Sequence, residues 1–110
     1  FISSSLGLKV DAGTLLYSSS KLGLESLMKT IVIEYSSFNI KCNILVLGFF
    51  NSPLWRKLSS KKKDKIKSLI PKGKIGTINN VTKTLNFLEK NDYINSSSIY
   101  LDAGFGTVKV

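Results

Sequence analysis

The chain has 110 residues, 43% of them hydrophobic, which is enough for one small domain with a core. With no histidine and one cysteine, Cys42, it cannot assemble a Ser-His-Asp triad, a zinc site or an internal disulfide, and a lone thiol fits the reducing cytoplasm. The net charge of +9 calls for an anionic partner or a solvated basic surface, and the longest apolar run, the seven residues Ile44 to Phe50, is far short of the ~20 that a membrane span needs.

Phe1-Ile2-Ser3 reads as the end of a buried strand, so a chain that opens there has the look of a fragment. Ser4 falls at the carboxyl edge of that strand, where open α/β sheets bind their ligands. Ser5 to Asp11 is expected to be loop, punctuated by Gly7 and Gly13, with Asp11 or Thr14 capping the next helix. Helical spacing then runs from about Leu15 to Ser36, through Leu16, Ser20, Gly23, Leu24, Leu27, Ile31 and Tyr35. Asn39 is placed to end it in a left-handed cap.

Within this helix Tyr17 and Lys21 stand four residues apart and share a face. A phenol is a poor acid, with a pKa of about 10. An ammonium ~5 Å away at an effective dielectric of ~20 favours the phenolate by about 3 kcal/mol. That is enough to make a tyrosine a general acid/base near working pH. Ser4, thirteen residues before Tyr17, could add a hydroxyl to the oxygen that the tyrosine protonates. In a chain with 15 lysines and four tyrosines the Tyr-x-x-x-Lys spacing alone is a weak signal, equally read as a solvated lysine beside a half-buried tyrosine.

Ile40 to Leu47 reads as a parallel strand covered on both faces, closed by Gly48. Pro53 to Leu69 suggests two helices joined at Ser59-Ser60. It also opens the basic run: Arg56, Lys57, Lys61, Lys62, Lys63, Lys65, Lys67, Lys72 and Lys74 face only Asp64. Such a run is either a solvated surface or a site for something anionic. Nucleic acid is not expected, because apart from Trp55 the run has no aromatic to stack on bases. After the loop Pro71 to Gly76, Thr77 caps a helix that ends near Lys90. A turn from Asp92 to Ser97 leads to a last short strand, Ile99 to Leu101, and to Asp102-Ala103-Gly104.

Five blocks, I-S-S-S-L-G, Y-S-S-S-K-L-G-L, K-C-N-I-L-V-L-G-F-F-N-S-P-L, P-K-G-K-I-G-T and Y-I-N-S-S-S-I-Y-L-D-A-G-F, occur in the order and at the intervals of the short-chain dehydrogenase/reductases. The chain resembles the C-terminal half of such an enzyme, the 3-oxoacyl-carrier-protein reductases being the nearest common type. The resemblance implies an α/β fold, the last strands and helices of a doubly wound Rossmann fold with a parallel sheet. Residues 1–110 would then be the C-terminal half of one NAD(P)-binding domain. It implies Ser4, Tyr17 and Lys21 as catalytic residues. NAD or NADP would be held by Tyr17 and Lys21, with Gly48, Phe50 and Ser52 in the loop around the nicotinamide. Leu47 stands where the family has proline.

The family's catalytic asparagine and its glycine-rich phosphate loop fall outside this sequence. The segment alone is therefore expected to bind no dinucleotide and to fold poorly. The implied partners are a small carbonyl or alcohol substrate, anionic if the lysine run lies over the cleft, and further copies of the chain in a homodimer or homotetramer. One of the arginines with which carrier-protein reductases dock their acidic carrier would fall at Phe38. The reading from another class is a non-catalytic binding module, either an inactive partner subunit or a basic nucleic-acid binder. An inactive member would usually lose one of Ser4, Tyr17 or Lys21, and all three are present.

Overall fold

The structure is a computed structural model that describes residues 1–107. Its most apolar segment, Ile-Leu-Val-Leu, forms the central strand β2 (Ile44–Leu47), with β1 (Ile2–Ser4) on one side and β3 (Ser98–Leu101) on the other, all parallel. Parallel neighbours need crossovers, and helices supply them. The chain runs from β1 through α1 (Ser5–Leu8) and α2 (Leu15–Tyr35) to β2. It then passes through α3 (Pro53–Arg56), α4 (Ser60–Ser68) and α5 (Ile78–Lys90) to β3. This is the α/β, parallel-sheet architecture expected for part of a Rossmann-type domain.

The register aligns Ser4 with Leu47 and Leu47 with Leu101. The next residues, Ser5, Gly48 and Asp102, therefore leave the sheet side by side at its carboxyl edge. Side chains alternate between the two faces. Ile44 and Val46 pack under α2 in a core with Met28, joined by Leu8, Leu24 and Cys42. Leu45, on the opposite face, is also buried, so the central strand is covered on both sides.

Four local expectations are corrected. The central strand starts at Ile44 rather than Ile40. Residues 40–43 are diverted into side-chain bonding: the Cys42 N–H donates to Asn95 Oδ1 (2.8 Å), the Asn43 amide to the Ile94 carbonyl (3.0 Å), and the Lys41 ammonium to the Leu88 and Asn91 carbonyls (3.1 and 3.0 Å). Residues 5–8, read as loop, make one helical turn capped by Ser4. Thr14 holds the N-cap position of α2, but its hydroxyl accepts from the Asp11 N–H and donates to the Asp11 carbonyl, closing a turn instead of capping the helix.

The inward face of α2 carries Ser18, Lys21, Leu24 and Met28. Leu16, Ser20, Gly23 and Leu27, counted as one apolar stripe, point to solvent. Asn39 does adopt the left-handed cap, at φ 60°. Among the described residues no helix is long and apolar enough to cross a membrane.

Candidate active site

Ser4 ends β1 in extended backbone and begins α1, its Oγ accepting from the Leu6 N–H at 3.2 Å. A hydroxyl has one donor and two acceptor positions, so this cap leaves the Ser4 O–H able to donate outward. Gly7 then lets α1 lie directly on α2. A β-carbon there would stand 2.8 Å from Lys21 Cβ, 3.0 Å from its Cγ and 3.5 Å from a Tyr17 ring carbon. The glycine is thus the contact that brings the serine-bearing turn against the tyrosine–lysine turn.

Tyr17 lies in the first turn of α2 with its ring 46% exposed, and Lys21 follows one turn later. The Lys21 ammonium donates to the Ile2 carbonyl at 3.2 Å and stands 6.0 Å from the centre of the Tyr17 ring. The Ser3 hydroxyl, buried in the sheet, donates to the Lys21 carbonyl at 3.4 Å. Both bonds tie this turn of α2 to β1. Tyr17 opens onto a cavity of about 730 Å³ whose walls include Leu6, Phe49, Leu69 and Phe105, with Lys9 among the residues lining it.

The loop after β2 also gathers at the sheet's edge. Gly48 donates to the Leu101 carbonyl (3.1 Å), and a β-carbon on it would lie 2.8 Å from Asp102 Cα, so only glycine lets the two strand ends meet. Phe50 pairs in a parallel bridge with Gly76 and lays its ring on that glycine, beside a second cavity of about 450 Å³ reached by Lys72 and Lys74. The Ser52 Oγ accepts from the Trp55 N–H at 3.2 Å and caps α3, which leaves its own O–H able to donate. Donors at Ser4, Tyr17, Lys21 and Ser52 fit a cofactor rich in hydroxyl and carboxamide oxygens.

Sequence reasoning missed the group that holds this edge together. Asp102 accepts from the Ser5 hydroxyl (2.8 Å) through Oδ2, from the Gly106 N–H (2.8 Å) through the same oxygen, and from the Gly104 N–H (2.9 Å) through Oδ1. Ser5 is 1% exposed. One carboxylate thus joins the residue beside Ser4 to the turn after β3, and that turn drives Phe105 into the interior. Phe105 meets Phe49 edge-on, with centroids 5.1 Å apart, and carries the Lys9 ammonium 4.3 Å from its ring centre. Nothing within I-S-S-S distinguishes Ser5 from its neighbours, and D-A-G-F-G was visible only as a turn.

A family model described as enoyl-(acyl carrier protein) reductase matches residues 1–106. The chain is 34% identical over 105 residues to mouse (3R)-3-hydroxyacyl-CoA dehydrogenase, covering 94% of this chain and 40% of that protein. It is 30% identical to the 3-oxoacyl-(acyl-carrier-protein) reductase of Thermotoga maritima, covering 94% of this chain and 43% of that protein. With marmoset (Callithrix jacchus) estradiol 17-beta-dehydrogenase 8 it shares 33% identity over 99 residues, 88% of this chain and 74% of that sequence. The chain therefore spans well under half the length of the first two relatives. With an α/β parallel sheet, a matching family model along nearly its whole length and these relatives, the chain belongs to the short-chain dehydrogenase/reductases.

Proposed function

We propose that residues 1–110 are the C-terminal, catalytic half of a single NAD(P)-binding domain whose protein interconverts a carbonyl and an alcohol. The supporting observation is the close seat of the Tyr17–Lys21 turn on Gly7 and β1, at the carboxyl edge of a parallel sheet and facing a cavity. In reduction, Tyr17 gives its phenolic proton to the carbonyl oxygen while Ser4 donates a hydrogen bond to the same oxygen. Lys21 stabilises the negative charge left on the phenol and holds the nicotinamide ribose. Gly48, Phe50 and Ser52 form the wall against the nicotinamide, the Ser52 O–H donating to its carboxamide. NAD or NADP, when bound, supplies the hydride to the carbonyl carbon, so that hydride and proton together account for the alcohol.

Two of the relatives are named for acyl thioesters, one on coenzyme A and one on a carrier protein. The apolar walls at Leu6, Leu69 and Phe105 suit an acyl chain, and a 3-oxoacyl thioester is the substrate class we assign. The outward stripe of Leu16, Ser20, Gly23 and Leu27 on α2 supports association of the full-length protein as a homodimer or homotetramer, and the lone Cys42 supports a cytoplasmic location.

The test is Tyr17→Phe in the full-length protein. Turnover is expected to fall by about a hundredfold or more, because the proton donor is lost while the ring still packs. Cofactor binding, followed by the fluorescence of the reduced nicotinamide, should stay near the wild-type value. A variant that kept more than about a tenth of wild-type kcat would remove Tyr17 from the reaction.

A further inference from the structure

We infer that the outer face of α4 is a docking surface for an acidic protein, one that presents the substrate on a tether to the cavity at Tyr17. The inference rests on the proposed reading of that cavity. On α4, Lys63, Ile66 and Leu69 turn inward, and the Lys63 ammonium donates to the Arg56 carbonyl at 3.2 Å. Lys61, Lys62 and Lys65 are exposed on the outside. At spacings of three and four residues these ammoniums repel one another along the helix. The ion pairs found among the described residues, Glu25–Lys29 and Lys41–Asp92, lie elsewhere. The helix thus keeps an unneutralised charge that works against its own stability, as expected of a surface kept for a partner of opposite sign.

The position ties that surface to the chemistry. Leu69, directly after α4, is a wall of the cavity onto which Tyr17 opens, and the neighbouring Ile70 is buried. A partner held on the outer face therefore sits beside the mouth of the cavity. The shape of the surface selects the kind of partner. Small phosphorylated ligands are taken up in concave sites. No residue of α4 is buried, and neither cavity at the sheet's edge includes Lys61, Lys62 or Lys65. A convex row of mobile ammoniums matches an extended acidic surface and acts chiefly by steering encounter.

The experiment compares the full-length protein with Lys61→Glu/Lys62→Glu/Lys65→Glu. First, binding of a fluorescently labelled acidic acyl carrier protein is measured by anisotropy without cofactor, which makes it independent of turnover. The wild type should bind with an affinity that falls steeply with salt, and the variant should bind about tenfold or more weakly at low ionic strength. Second, reduction is followed on the 3-oxobutanoyl group presented in three ways: on the carrier, on coenzyme A, and as a neutral ethyl ester. KM should rise for the carrier substrate alone.

Equal carrier affinity for the two proteins overturns the inference. So does an equal rise of KM on the coenzyme A thioester, which would make the face a phosphate site. If no substrate is reduced but carrier binding still falls, the docking surface stands and the oxidoreductase reading fails. Should the glutamate variant melt early, the corresponding triple glutamine variant, expected to lose about half as many decades of affinity, decides the matter.

Discussion

The corner around Ser4, Tyr17 and Asp102 and the excursion of α3 and α4 are built by opposite means. In the corner, elements far apart in sequence meet at contacts that tolerate no added atom: Gly7 on Lys21, Gly48 on Asp102, and three donors on one carboxylate. In the excursion each helix is held by its own cap, Ser52 for α3 and Ser59 for α4, and α4 buries no residue. Long-range contacts fix geometry to a fraction of an ångström, as proton transfer requires. Local caps fix only that a helix exists, which leaves its outer surface free to carry charge.

If the corner depends on a shared acceptor, Asp102→Ala should be the most damaging change. It strands the buried Ser5 hydroxyl and frees the turn that seats Phe105. With a cost of ~1–3 kcal/mol for each buried donor left unsatisfied, the full-length protein should lose about 2–4 kcal/mol in a urea titration. A loss below about 0.5 kcal/mol would show that the corner does not rely on this carboxylate.

Gly7→Ala should come next, at about 1–3 kcal/mol, because its methyl meets the stem of Lys21 rather than a flexible end. It should also lower kcat, since α1 and α2 must part where Ser4 and Tyr17 are set. Wild-type kcat in this variant would mean that the close seat has no part in aligning them.

The same difference explains what could be read from the sequence. Elements with a strong local signal were legible: the β2 apolar run, the long α2, the left-handed Asn39, and the split of residues 53–69 into two helices with a break at Ser59-Ser60. The tyrosine–lysine spacing was legible too, because i and i+4 share a helix face wherever the helix lies. What failed depended on distant partners. Ile40 to Asn43 look like strand, yet Asn95 and the carbonyls near the end of α5 draw their polar groups away from the ladder. The α2 stripe was assigned to the wrong face, because leucines mark both the core side and the exposed side, whereas small or polar Ser18 and Lys21 lie inward. Asp102 is 97 residues from the serine it holds, and no periodicity reports such a pairing.

Ser59→Ala probes the other side of the comparison. Its Oγ accepts from the Lys62 N–H at 3.4 Å, and losing such a cap costs about 1 kcal/mol. Because α4 buries nothing, that cost should appear as faster amide exchange confined to residues 61–66, with the global urea midpoint unchanged. A matching loss of global stability would make α4 part of the cooperative core and erase the distinction between the two regions.

The smallest expected effect is the most discriminating. Gly23 lies in the interior of α2, where glycine costs roughly 0.5–1 kcal/mol relative to alanine, and a β-carbon there would meet nothing within 4 Å. Within one copy, Gly23→Ala should therefore stabilise by about that amount. Gly7 and Gly48 are glycines because their neighbours in the same chain are in contact. Gly23 has no such neighbour, so its lack of a side chain is explained only if the stripe of Leu16, Ser20 and Leu27 meets another copy. Thermal melts at dilutions where the full-length protein is monomeric should then rise, while sedimentation at higher concentration should show weaker association. Stabilisation with undiminished association would place the contact between copies on some other surface and leave the glycine as a tolerated flaw in a solvent-facing helix.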